Sequence, residues 1–424
     1  MSHFSFQFRA LLVALPLLGA LASGCKKEVD TFYQPDSEPG FAGLGLPRTP
    51  LAPRYTPGDA VPLFVTFNET DQLRDISVFQ VVNKADSVVT GTYPANGVFN
   101  ASGGLLAQSV PYVVPAATNG VSVRVDVTLT FQNGGKRLRR FTYIVARPAT
   151  LELATSPVVP VFRNTLAGTA QSEGDVIGYP IILNKTGIGV VPLPPALPTA
   201  AAPLFKAVDS LTTFYAIGSQ PRVRTGVIRN PSNGAANPRT VDVTIPRGAN
   251  GQSVTFSFVA YAAVQTVTLT TPPIAVTTPI ALATLRTGRV SGGPSVTPDS
   301  LAFNLRTGLI EPAANSLTAK DLFVSSTIGS VTLSAANNTT YTKITAAQLD
   351  RNFYTAANAN AVGTTLYLNN ATAGAVSPNL GPVAAGDVYG ARVRGAELML
   401  LRILSVRPSV AGSSARVRFE YKSL

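Results

Sequence analysis

The chain has 424 residues and a formal charge of +12, with 45% hydrophobic and only 13% charged residues. Cys25 and His3 are the single residues of their kinds and Trp is absent. Beyond the first 25 residues there is therefore no disulfide, thiol or imidazole, which excludes Ser-His-Asp and Cys-His catalysis, zinc fingers and histidine-ligated haem.

In chain order, Met1 to Arg9 is a short polar start and Ala10 to Leu21 an apolar run too short for an ordinary membrane span. Leu21-Ala22-Ser23-Gly24-Cys25 follows. It resembles the lipobox of bacterial lipoproteins, with Ala22 where that family prefers Leu. The resemblance implies removal of residues 1–24 and a lipid on Cys25, which would anchor the chain by burying acyl methylenes at ~0.8 kcal/mol each. The alternative is an ordinary secretory signal with a chance Cys. Cys25-Lys26-Lys27-Glu28-Val29-Asp30 is similar to the start of Bacteroidota lipoproteins. That likeness implies an outer-membrane protein facing the periplasm or the cell surface.

Residues 25–58 hold Pro35, Pro39, Pro47, Pro50, Pro53 and Pro57 without sustained alternation, and read as an extended tether. Short alternating runs then predict an all-β fold: tandem immunoglobulin-like β-sandwiches over 59–148 and 149–275, and a β-rich C-terminal domain with a short helix over 280–424. In the first domain Val121 to Phe131 alternates without a break. Asn133-Gly134-Gly135 turns the chain, and Leu138 to Val145 returns as the partner strand. In the second, Val176 to Leu183, Thr212 to Ile217, Thr240 to Ile245 and Val254 to Val264 are strand-like, and Val191 to Pro198 reads as a long loop.

The two domains look like copies. Pro115 to Val123 parallels Pro246 to Val254, Gly58-Asp59-Ala60 parallels Gly174-Asp175-Val176, and Asp86-Ser87 parallels Asp209-Ser210. The Cys and Trp core of antibody domains is absent. In the third domain Thr345-Ala346-Ala347-Gln348 is a capping-box pattern, predicting a short helix over Thr345 to Ala357. Asp387 to Val393, Leu398 to Val406 and Ala415 to Tyr421 predict closing strands.

Candidate sites are few. Lys136, Arg137, Arg139 and Arg140 form the densest charge cluster. It is either a contact for anionic groups or a solvated hairpin tip. Asp86-Ser87-Val88, Asp209-Ser210-Leu211 and Asp299-Ser300-Leu301 resemble the Bacteroidota O-glycosylation sequon, which makes Ser87, Ser210 and Ser300 candidate modification sites. The alternative is three strand starts. Tyr112, Tyr143, Phe214, Tyr215, Tyr341, Phe353, Tyr354, Tyr367 and Tyr389 read more as core than as sugar platforms. The 22 acidic residues form no tight cluster, and no metal or phosphate motif appears. These features predict a protein with no catalytic activity, no metal and no cofactor.

The expected role is surface display, adhesion or envelope structure by a membrane-anchored lipoprotein. The alternative is a glycan-binding accessory lipoprotein of an outer-membrane uptake system. In that case the site should lie on the third-domain loops Ala335 to Thr340, Ala356 to Asn360 and Asn369 to Gly374. The expected partners are the membrane and an anionic glycan or envelope component, since a basic surface attracts anions. An exported chain is not expected to meet nucleic acid.

Overall fold

The structure, a computed structural model, describes residues 41–46, 50–100, 105–154, 159–185, 203–293, 301–312, 314–326, 329–410 and 414–424. Cys25, Ser300 and the Pro-rich stretch 191–198 lie outside the described residues.

The first sandwich is built from β1 (Ala42–Gly45), β2 (Arg54–Tyr55), β3 (Ala60–Phe67), β4 (Leu73–Val82), β5 (Val88–Pro94), β6 (Val98–Asn100), β7 (Leu105–Val113), β8 (Ser122–Phe131) and β9 (Lys136–Val145). One sheet runs β1-β3-β7-β6 and the other β2-β9-β8-β4-β5. The opening strand is thus split between the sheets, and β2 pairs parallel with the closing strand β9. This order and the packing of two sheets face to face are those of an immunoglobulin-like domain. Alternation decides which side chains go inside: Leu63 and Val65 of β3 and Val123, Val125, Val127 and Leu129 of β8 are fully buried. Tyr112 and Tyr143 join the sheets through a hydroxyl–hydroxyl contact of 2.7 Å, and burial pushes the Tyr112 phenol up to about 12.

The segment read as tether enters this sandwich at Ala42. Leu44, Leu46, Leu51 and Ala52 pack on the core and Tyr55 is buried within it. Prolines 50, 53 and 57 stand beside β2 rather than in it, so they steer the chain across the edge between the sheets without breaking a ladder.

The second sandwich comprises β10 (Leu151–Leu153), β11 (Val161–Phe162), β12 (Val176–Leu183), β13 (Val208–Ile217), β14 (Val223–Ser232), β15 (Asn237–Thr244), β16 (Ser253–Ala262), β17 (Gln265–Thr270) and β18 (Ile274–Ala275). β10, β11 and β15 pair with β12, while β14-β13-β16-β17 forms the facing sheet with β18 also on β16. Read with β10 and β11 as one interrupted first strand and β17 and β18 as one interrupted last strand, this is the same immunoglobulin-like order.

The third domain contains β19 (Thr284–Gly292), β20 (Ala302–Asn304), β21 (Leu309–Glu311), β22 (Leu322–Ser326), β23 (Thr332–Ser334), β24 (Thr340–Lys343), α1 (Ala346–Leu349), α2 (Ala359–Asn369), β25 (Asn379–Pro382), β26 (Val388–Val393), β27 (Glu397–Arg407) and β28 (Ala415–Ser423). Its sheets run β19-β28-β27-β26-β24 and β21-β20-β22-β23-β25. Asp321, 0% exposed, holds Arg394 through two bonds of 2.8 and 2.9 Å. The predicted capping box is present: the Thr345 hydroxyl accepts from the Gln348 amide and Gln348 reaches back to Thr345. That helix is a single turn, and the longer helix is α2. The Asn358 side chain caps its start. Val362 and Leu366 pack on Ile344, Val388, Leu398 and Leu400, on the sheet face turned away from the sandwich core.

The repeat recognised in the sequence is a joint. In Thr56 to Asp59 the Asp59 carboxylate accepts from the Thr56 amide at 2.8 Å. The ammonium of Lys206, 1% exposed and part of the second domain, reaches the same carboxylate at 2.7 Å. In Ser172 to Asp175 the Asp175 carboxylate accepts from the Ser172 amide at 2.7 Å. It also receives Asn360 at 2.7 Å and Thr364 at 3.0 Å, both from α2 of the third domain. Asn119 adds reciprocal bonds of 2.8 Å with the Leu204 backbone. A third copy of the turn was missed in the sequence: Gly386-Asp387, whose carboxylate accepts from the Ala384 amide at 2.9 Å. Gly58, Gly174 and Gly386 share φ of +85°, +88° and +92°, a backbone that favours glycine.

Candidate functional site

The chemistry of the third domain concentrates in a cleft of about 330 Å³ beside α2, at the junction with the second domain. Its walls carry Arg163, Asn338, Thr340, Tyr367, Asn370 and Arg392. Arg163 follows β11, and its guanidinium binds Asp242 of β15 at 2.7 and 3.0 Å. The same guanidinium lies 4.9 Å from the Tyr367 ring centre. The Tyr367 hydroxyl donates to Asp242, and that bond raises the phenol pKa. One carboxylate therefore fixes both an arginine of the second domain and a tyrosine of the third.

Arg392 is different. It sits on β26 opposite Thr340 and Leu398, on the face covered by α2. Its Nε is enclosed with no hydrogen-bond partner among the described residues, and burial pushes its guanidinium pKa down. The last turn of α2 lies close by, and its partial negative charge offsets part of that cost. The arrangement suits one anionic group, with Asn338, Thr340 and Asn370 supplying neutral hydrogen bonds around it. It has no paired acids. Among the described residues no group of three or more His, Cys, Asp or Glu could hold a metal ion.

Two of the loops singled out in the sequence supply this cleft: Asn338 and Thr340 come from 335–340, and Asn370 from 369–374. The loop 356–360 instead faces the Asp175 joint through Asn360. Arg163 and Arg392 were not foreseen. A signal existed for Arg392, because alternation puts it on the same face as Val388 of β26, where an apolar side chain is expected.

The basic hairpin does not form one patch. Strand alternation sends Lys136 and Arg140 to one face and Arg137 and Arg139 to the other. Arg140 binds Asp126 at 2.6 and 3.1 Å, and Arg139 donates to the Ala42 carbonyl. Ser87 is exposed between β4 and β5, whereas Ser210 is half-buried within β13 and paired on both sides. Tyr112, Tyr143 and Tyr341 are core. Arg222 covers Phe214, and Arg402 and Lys422 cover Tyr354.

No protein-family model and no curated protein sequence matches the chain. Among solved structures, a DUF4466 family protein from Parabacteroides merdae is 12% identical over 66% of this chain and 100% of its own, at a TM-score of 0.23. The D1–D4 ectodomain fragment of ICAM-5 is 12% identical over 91% of this chain and 99% of its own, at 0.20. A structure of a 1.5-MDa bacterial ice-binding adhesin is 14% identical over 91% of this chain and 98% of its own, at 0.18. At such scores no overall superposition exists, so the immunoglobulin-like assignment rests on strand order alone.

Proposed function

We propose that the chain is a non-enzymatic lipoprotein of the bacterial envelope, tethered through Cys25, whose three β domains form a jointed rod for display or attachment. The observation that carries this reading is the repeated joint. Asp59 and Asp175 occupy the same turn in successive domains, and each is satisfied by the domain that follows. A catalytic scaffold has no need of such a device, whereas a spacer that must hold its end away from a surface does. The expected result is an elongated particle in small-angle scattering, shortened or broadened when both aspartates are changed to Ala. Replacing Cys25 with Ser should release the protein from the membrane fraction. A compact particle, or unchanged fractionation, would overturn the reading.

A second reading is favoured by Arg392. A guanidinium whose Nε is enclosed without a partner, lining a polar cleft, suits a ligand-binding lipoprotein that captures an acidic sugar. Calorimetry with galacturonate should show binding lost on Arg392→Gln, while glucose should not bind. Heat from neither sugar would leave display as the function.

A further inference from the structure

We infer that the bare half of the five-stranded sheet in the third domain binds an extended anionic polysaccharide, through Arg289, Arg407, Arg416 and Arg418. This face is separate from the cleft at Arg392 and does not depend on the reading above. On β28, Ala415, Val417 and Phe419 point into the core, so Arg416 and Arg418 between them point away from it, and both are exposed. Arg289 stands directly opposite Arg418, and Arg407 directly opposite Arg416. Paired residues of an antiparallel ladder share a face, so all four guanidiniums rise from one surface. With strands ~4.8 Å apart and ~6.7 Å between alternate residues, their anchor points fall within roughly 12 Å.

Two arginine pairs set directly across a ladder repel each other, which a fold gains nothing by keeping. Several other arginines of this chain find acids: Arg140 with Asp126, Arg163 with Asp242, Arg394 with Asp321. Here none of the four has an ion-pair partner among the described residues. The two carboxylates on the three strands are already engaged, Glu397 by Arg306 at 2.9 Å and Glu420 by Arg402 at 2.7 Å. α2 and its flanks cover the β24 and β26 side of the sheet, through Leu398 and Leu400. Beyond Arg402 the sheet is open to solvent.

The shape selects the ligand. Four charges on a flat sheet match repeated anionic groups along a chain better than a single phosphate, which needs a concave nest. Leu404, Ser405, Ser291 and Thr287 lie around the arginines, with no exposed aromatic ring among them. Single-stranded nucleic acid relies on such rings for stacking. A carboxylated or sulfated polysaccharide does not.

The test uses the purified chain with polygalacturonate and dextran sulfate, and with duplex DNA as the competing class. Affinity is measured against salt. The expected result is binding of both polysaccharides that weakens as salt rises. The combined change Arg289→Gln, Arg407→Gln, Arg416→Gln and Arg418→Gln should cost about tenfold or more, with a shallower salt slope. Because the four are exposed, melting should be unchanged or raised. Arg416→Glu alone should weaken binding as well, and serves if the fourfold variant does not fold. Changing Arg137 and Arg139 to Gln should leave affinity unaltered. No polysaccharide binding at low salt, equal binding by the fourfold variant, or binding of DNA alone would each overturn the inference.

Discussion

Asp59, Asp175 and Asp387 hold the same turn, yet each meets different chemistry beyond it. Asp59 faces the buried Lys206 ammonium, Asp175 faces the neutral Asn360 and Thr364, and Asp387 is taken by Lys343 of its own domain at 2.7 Å. The first case is the most exacting, because a lysine removed from water needs its counter-charge. Asp59→Asn should therefore lower stability by about 2–4 kcal/mol, the lower part of the range reflecting the partial exposure of the carboxylate. Adding Lys206→Met should recover most of that loss in thermal unfolding, since an apolar side chain of similar length needs no counter-ion. Glu311 gives a pH prediction. Bonds from Asn315 at 2.7 Å and Asn304 at 2.8 Å stabilise its charged form and hold its pKa below the usual carboxylate value. A depressed folded pKa gives stability that is complete above the unfolded value near ~4.3 and is lost as pH falls through the folded one. The third domain should thus lose stability as pH drops below about 4. Glu311→Gln should flatten that dependence in denaturant titrations at graded pH.

Among the elements, α2 decides the second joint. Gly363 faces the second domain so closely that an added Cβ would stand 2.6 Å from the Asn164 carbonyl oxygen. In a free helix Gly to Ala gains about 0.5–1 kcal/mol. Here the clash is with backbone and reverses the sign, so Gly363→Ala should reduce stability and loosen the second and third domains. Limited proteolysis near residue 280 would report it. The same helix shows why some elements were legible and others not. β8 and β9 could be read because one face meets the core and the other water, which writes alternation into Val121 to Val145. In α2, Ala359, Val362, Gly363, Thr365 and Leu366 are buried on several sides, so no clean helical stripe forms, and Gly and Thr are weak helix formers. β14 failed for the opposite reason: Val223 to Asn230 is mostly exposed, and only Gly226 and Ile228 turn inward, too short a period to read.

At the scale of the molecule, two sandwiches could be read from strand runs and from the parallel motifs, and the third domain only as β-rich with a short helix. The cleft could be only half anticipated. Loops rich in Asn gave Asn338 and Asn370, but Arg163 reaches Tyr367 from about two hundred positions away, and no local pattern encodes such a meeting. Display in place of catalysis is proposed from a meeting of the same kind, the seating of one domain on the next, which appears only when Asp175 and Asn360 are seen together.

The parallel pairing of β2 with β9 has a mechanical consequence. A chain pulled at its two ends would load these neighbouring strands in opposite directions, so that the Ile144 amide bond to Pro53 and the Ala146 bond to Tyr55 stretch together. Among the described residues the second sandwich has one backbone–backbone bond in the equivalent place, from Thr277 to Gln171. In single-molecule pulling the first sandwich should yield at the higher force. Under the proposed attachment through Cys25, the module nearest the membrane would then be the last to tear.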